Sequence, residues 1–137
     1  MGMYTELHFN AELSGDVPPE VVTILDYMLA SASLAELPEP PLPDHPLFHT
    51  ERWRLMLQMD SCYFSADTHS TLRKDDRGDC YFLCVRCNLK NYNHEIEKFI
   101  DWVCPYLRQE DGDFLGFYRY EDSEDPTLIY APSRVKT

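Results

Sequence analysis

The first segment of the chain alternates between apolar and polar side chains. Every second residue between Thr5 and Leu13 is apolar, namely Leu7, Phe9, Ala11 and Leu13. A two-residue period places these side chains on one face of a β-strand, whose apolar side has to be covered by a second layer. The pattern therefore predicts a half-buried strand within a layered domain.

Two later segments have the period of amphipathic helices and can supply that layer. Pro18 and Pro19 are typical of a first helical turn, where backbone amides have no partner in the helix. Asn93 is expected to cap a second helix, which Pro105 weakens or ends. The predicted buried residues are Val21, Ile24, Leu25 and Met28 in the first helix, and Ile96, Phe99, Ile100 and Val103 in the second.

Four further segments have the composition of strands. They are Ser61 to Leu72, Cys80 to Lys90, Phe114 to Tyr120 and Thr127 to Tyr130. The first two are expected to pair as a hairpin across the polar loop from Arg73 to Asp79, with Gly78 at a positive φ. The last two flank the acidic loop from Glu121 to Asp125 and form a closing pair.

The resulting order is β, α, β, β, α, β, β in a chain of 137 residues, the size of a single domain covering 1–137. Two βαβ halves with strands one and three in the centre would give an α+β, ferredoxin-like sandwich. That fold has an antiparallel sheet with two helices on one face, here with an extra edge strand.

A proline-rich segment interrupts this pattern after the first helix. Residues Ser31 to His49, which we call the strap, contain Pro38, Pro40, Pro41, Pro43 and Pro46. Prolines donate no backbone hydrogen bond, so the strap should be extended and lie over the surface, anchored by Leu42, Leu47 and Phe48. Thr50 is then expected to cap a short inserted helix to about Met56, with Trp53, Met56 and Leu57 facing inward.

The charge of the chain is strongly negative and uneven. Asp and Glu number 24 against 12 Lys and Arg, a formal net charge of -12, and no Lys or Arg precedes Arg52. This argues against direct binding to a nucleic-acid backbone, which requires clustered cations. It favours a partner with a basic protein surface, with Glu36, Glu39 and Asp44 as candidate partner-binding residues; the alternative is a solvated surface that maintains solubility.

Cysteine number and hydropathy bear on the compartment. The five cysteines are an odd number, and the sequence has neither a secretory-type start nor an apolar run of the roughly 20 residues that a membrane span requires. We expect reduced thiols and a soluble protein in the cytoplasm, with no membrane partner.

Three motifs suggest catalysis or metal binding, and none forms a complete site. The spacing of Cys80, Cys84 and Cys87 suits an iron–sulfur cluster, but a strand would turn Cys84 and Cys87 to opposite faces. His45 and His49 have zinc-ligand spacing only on a helix, which Pro46 opposes. Asp67 and His69 would lie on one face of a strand and could orient a general base, but no nucleophile or phosphate loop completes a site. We therefore expect no catalytic residue, cofactor or metal. A small enzyme that uses Asp67, His69 or Cys84 remains an alternative.

The sheet face away from the predicted helices is the candidate ligand site. Alternation places polar and aromatic side chains there, and the candidate ligand-binding residues are Tyr63, His69, Arg86, Asn88 and Tyr118. Stacking on tyrosine and charge-assisted bonds from arginine would suit a nucleotide or another small anionic ligand. The alternatives are an ordinary solvated face, or one covered by the strap.

Five segments of the chain resemble small uncharacterised proteins encoded by phages, prophages and bacteria. These segments are Leu42 to Phe48, Arg52-Trp53, Cys87 to Tyr92, Phe99 to Trp102 and Gly116 to Tyr120. The resemblance carries no catalytic motif. It implies a phage-type, non-catalytic antagonist of a bacterial defence system, acting in the host cytoplasm. Alternatives are a sponge for a small nucleotide signal and a toxin immunity protein.

Overall fold

The computed structural model describes residues 4–30, 38–61, 64 and 67–131, and they form an α+β domain. One antiparallel sheet has the strand order β2-β3-β1-β4-β5. The elements are β1 (Thr5–Ser14), α1 (Pro19–Leu29), β2 (Thr71–Asp75), β3 (Cys80–Leu89), α2 (Glu95–Val103), β4 (Phe114–Tyr120) and β5 (Thr127–Tyr130). Short 3-10 helices occupy Pro46–His49 and Cys104–Tyr106.

Strand β1 organises the sheet because it pairs with two neighbours. It pairs with β3 along its whole length, from Thr5 opposite Leu89 to Ser14 opposite Cys80, and with β4 from Thr5 to Phe9. Its apolar residues are buried as the alternation predicts. We call the face that carries Leu7 and Phe9 the inner face, and the opposite face the outer face.

The two helices share a core with the inner face of β1. All four residues predicted for the stripe of α1 are buried, and so are Ile96, Phe99 and Val103 of α2, whereas Ile100 is only partly buried. The ring of Phe99 meets the ring of Phe9 edge-on, with centroids 5.8 Å apart. Full burial of such a side chain contributes about 1.5–3 kcal/mol. Buried side chains of β1 and of both helices therefore belong to one apolar core.

The described part of the strap is anchored by the residues predicted for that purpose. Leu47 is fully buried, and Leu42 and Phe48 pack against the core. The Phe48 ring lies edge-on to Trp53 and Trp102, with centroids 4.9 and 5.3 Å away. The strap therefore contacts α2.

The short helix lies earlier than predicted. Thr50 does not begin a helix: it ends the 3-10 turn of Pro46–His49, and its hydroxyl donates to the Leu47 carbonyl at 2.7 Å. Pro46 suits the start of that turn, and His45 Nδ1 accepts from the Leu47 amide at 3.0 Å. Residues 51–58 form turns, although Trp53, Met56 and Leu57 are buried as expected.

The predicted hairpin is present, because β2 pairs antiparallel with β3, but the bounds of its first strand and the position of the positive φ differ from the prediction. Within the predicted strand from Ser61 to Leu72, only Thr71 and Leu72 lie in β2, which continues to Asp75; residues 62–63 and 65–66 lie outside the described part. The positive φ belongs to Asp79, at 51°, rather than to Gly78.

The start of α2 differs in one detail from the predicted cap. The side chain of Asn91, not that of Asn93, accepts the Ile96 amide at 2.8 Å. The residue before the helix, His94, has a left-handed conformation. The helix ends before Pro105, as predicted.

Candidate functional site

The outer face carries a polar cluster at the centre of the sheet. The register brings Glu6 of β1 between Asn88 and Arg119, and His8 between Arg86 and Phe117. We define the outer polar cluster as Glu6, His8, Asp60, Arg86, Asn88 and Arg119.

Glu6 is the carboxylate around which the cations of this cluster gather. It is buried, and its Oε2 accepts a hydrogen bond from Arg119 Nε at 2.6 Å. Its Oε1 lies 3.2 Å from His8 Nε2 and 3.6 Å from Arg86 Nη2. Solvent screens charges poorly in such a position, so Glu6 offsets much of the positive charge that would attract an anion.

Asn88 holds a covering segment against the outer face. It is fully buried, its Nδ2 donates to Asp60 Oδ1 at 2.9 Å, and its backbone amide donates to the Met59 carbonyl at 3.0 Å. Hydrogen bonds from the Ser61 amide and then from Asn88 hold the pKa of Asp60 below its ordinary value. The segment around Asp60 therefore covers this part of the outer face. The sequence had suggested the strap as a possible cover.

The predicted ligand-binding residues are only partly brought together. His69 and Arg86 exchange backbone hydrogen bonds of 2.7 and 3.0 Å, and Arg86 Nη1 donates to Asn88 Oδ1 at 2.9 Å. The guanidinium atoms Nε and Nη2 of Arg86 are buried without a hydrogen-bond partner among the described residues. Tyr63 lies outside the described residues.

Tyr118 lies on the other side of the sheet. It is opposite Leu7 in the register and thus belongs to the inner face, where its hydroxyl donates to Glu97 Oε2 at 3.4 Å. Burial, and then the charge of Glu97, raise the pKa of this tyrosine. Tyr118 therefore does not join Arg86 in one site, and this placement depends on strand register.

Sequence reasoning did not select Glu6, Asp60 or Arg119 for the site. The alternation of β1 already placed Glu6 on the polar side of its strand. Its pairing with two arginines depends on which strands flank β1. The segment that brings Asp60 to the sheet has no hydrophobic periodicity. Its sequence therefore does not indicate this contact, as the alternation of β1 does for Glu6.

An open groove lies between the strap and the start of α2. It has a volume of about 860 Å³, and its lining includes Asp44, Glu51, Arg52, Tyr92 and Lys98. The Arg52 guanidinium stands 5.5 Å from the centroid of the Tyr92 ring. A smaller cavity of about 220 Å³ shares Tyr92 and contains Tyr118. Both acidic and basic side chains therefore line the groove.

The predicted partner-binding residues differ in their surroundings. The Asp44 side chain is 100% exposed and borders the groove. Glu39 forms an ion pair with Arg54, and Glu36 lies outside the described residues. The ion pairs with arginine seen among the described residues join Glu6 to Arg86 and Arg119, and Glu39 to Arg54.

The described cysteines lie in different environments. Cys84 is exposed, whereas Cys80, Cys87 and Cys104 are buried. Burial raises the pKa of Cys87 to about 12. In the described ranges, no group of three or more His, Cys, Asp or Glu residues is arranged to hold a metal ion.

The comparisons with known proteins return no relative: no family model, no curated protein and no solved structure matches the chain. Within the described part of the chain, neither helix combines the length and the apolar character needed to span a membrane.

Proposed function

We propose that this chain is a non-catalytic binding protein that occupies a basic surface of another protein. The observation that supports this is the excess of acidic charge. The chain has 24 Asp and Glu against 12 Lys and Arg, a formal net charge of -12. Such a surface attracts and orients a basic partner.

The fold we propose for this function is a ferredoxin-like sandwich with both helices on the inner face. The order β2-β3-β1-β4 fits two interleaved βαβ halves, with β5 as the additional edge strand. The shared core of α1, α2 and β1 fits the same arrangement. In this fold the β5 edge and the groove that Asp44 borders are surfaces open to a partner.

The biological setting we propose is the bacterial cytoplasm, with the chain acting as a phage-type antagonist of a defence system. This setting is the expectation drawn from the sequence segments named above, and the acidic net charge is compatible with it. An inhibitor of this kind needs no catalytic group, because covering the target surface is sufficient.

Capture from bacterial lysate with matched variants tests the leading proposal. Asp44→Lys and Asp76→Lys change the net charge equally, but only Asp44 borders the groove, whereas Asp76 lies in the turn between β2 and β3. We expect capture of a basic protein by the wild type and by Asp76→Lys, and weaker capture by Asp44→Lys. Capture of no basic protein by the wild type would contradict the proposal.

A second candidate function is sequestration of a small anionic ligand on the outer face. The observation that favours it is the pair of buried, unbonded nitrogens of Arg86. It ranks second because Glu6 already faces the same guanidinium. Calorimetry with cyclic and linear nucleotides tests it: heat with one nucleotide that Arg86→Gln abolishes would support it, and no heat with any would exclude it.

A further inference from the structure

The two edges of the sheet differ in how they are protected. At one edge, β2 exposes Arg73 and Lys74, which lie over the rings of Phe82 and Tyr81 of β3. Charged side chains of this kind oppose the addition of another strand. At the other edge, β5 contains no charged residue between Thr127 and Tyr130.

The unprotected edge also exposes apolar side chains. Leu128 and Tyr130 are each 49% exposed, and Phe114 of β4 is 58% exposed. Tyr130 and Phe114 lie opposite each other, with ring centroids 5.6 Å apart. Alternate backbone groups of an edge strand point away from its neighbour. Within the part of the chain that the structure describes, no strand pairs with the outward groups of β5, and they lie beside apolar contact area.

Acidic loops border both ends of β5. One loop comprises residues 110–113 and is tied to the end of the strand, because Ala131 bonds to Gly112 and Asp113 through backbone groups at 2.8 Å each. The other loop joins β4 to β5. Together they contain the seven carboxylates of Glu110, Asp111, Asp113, Glu121, Asp122, Glu124 and Asp125.

We propose that β5 is the docking edge for an extended segment of a partner protein, with alternating apolar side chains in its middle and Lys or Arg at both ends. The inference rests on the proposed function and adds a contact surface at β5 to the groove that Asp44 borders. The segment adds to the sheet as a sixth strand: main-chain hydrogen bonds provide affinity, and its alternate side chains meet Leu128 and Tyr130. Its terminal cations face the two acidic loops.

Charge argues against a second copy of this chain as the occupant. A two-fold axis at β5 pairs the strand antiparallel with itself. That arrangement brings the loop of 110–113 in one copy beside the loop of 121–125 in the other, and both are acidic. Like charges placed together in this way oppose association.

The test is a titration of isotope-labelled protein with two nine-residue synthetic peptides, followed by amide chemical shifts. Both peptides have the centre Val-Thr-Val-Thr-Val, with two lysines at each end of one and two glutamates at each end of the other. We expect the lysine peptide to shift the amides of 110–113 and 127–130, and the glutamate peptide to shift none.

Matched variants identify the surface. Leu128→Lys should weaken the lysine peptide about tenfold, because it removes apolar contact and adds repulsion. Leu55→Lys, at a residue 45% exposed outside the sheet, should bind as the wild type does. Tyr130→Lys serves as a second edge variant if Leu128→Lys does not fold.

Several results would overturn the docking edge. Equal binding of both peptides would do so, and so would no binding of the lysine peptide. Amide shifts confined to the groove beside Asp44 would place the contact elsewhere. Concentration-dependent shifts of β5 without peptide would indicate that a second copy of the chain binds there. Capture of a basic lysate protein that Asp44→Lys weakens and Leu128→Lys does not would overturn the edge and leave the proposed function standing.

Discussion

Gly116 shows how one residue controls the centre of the sheet. It lies in β4 opposite Phe9 with φ of 151°, and a Cβ there would overlap the carbonyl oxygen of His8. Only glycine allows β1 and β4 to approach this closely.

Gly116→Ala should lower the free energy of unfolding by about 3 kcal/mol, because β1 and β4 must separate to admit the methyl group. Gly112→Ala is the matched control: that glycine also has a positive φ, of 90°, but no atom of the described residues lies within 4 Å of a Cβ there. It should cost about 1 kcal/mol of backbone strain. Urea denaturation of both variants measures the difference, and equal losses would show that the contact with His8 is unimportant.

Cys84 and Cys87 should differ in the reactivity of their thiols. The pKa of Cys87, raised by burial to about 12, leaves almost no thiolate at pH 8, and the side chain is inaccessible as well. Iodoacetamide at pH 8 should therefore alkylate exposed Cys84 in the native protein and Cys87 only after denaturation, as mass spectrometry of the digested protein reports. Equal native labelling of both would contradict the burial of Cys87.

At the scale of elements, periodicity predicted well where a segment packs along a regular face. The bounds of β4 and β5 were predicted as they occur, and the apolar side chains of β1 are buried as predicted. A short helix was predicted from Thr50 to about Met56, but residues 51–58 form turns that bury the side chains expected to face inward. The spacing of the apolar residues indicated which side chains are buried there. The capping hydrogen bonds of His45 and Thr50 determine the backbone conformation at the start of this segment.

The candidate site was less predictable for a related reason. A strand pattern indicates which residues share a face, but the partner strand and its register decide which residues meet. Tyr118 is the clearest example, because its position opposite Leu7 separates it from Arg86. The contact between Asp60 and Asn88 depends on a long-range approach of the chain that no local pattern encodes.

The attachment of the segment around Asp60 should be sensitive to acid. The pKa of Asp60 is lowered in the folded protein, so its carboxylate stabilises the fold above the unfolded pKa, and this contribution disappears as pH falls through the folded value below 3.8. Asp60→Asn should therefore lose stability at pH 6 and approach the wild type at pH 2–3. Urea denaturation at these pH values tests this; a stability loss that is the same at every pH would contradict it.

At the scale of the whole molecule, the excess of acidic charge distinguishes this domain more than any cavity does. The formal net charge is -12, and the groove beside the strap contains basic as well as acidic residues. The acidic loops at β5 and the exposed carboxylate of Asp44 make the surface a target for cations, while the buried carboxylate of Glu6 is engaged inside the fold.

The salt dependence of affinity for a captured basic partner tests the proposed function most directly. Calorimetry between 50 and 300 mM NaCl should show affinity falling steadily, since the Debye length shortens from about 14 to about 6 Å over that range. Asp44→Lys should reduce this dependence, and Asp76→Lys should leave it unchanged. An affinity that does not vary with salt would contradict binding through the acidic surface.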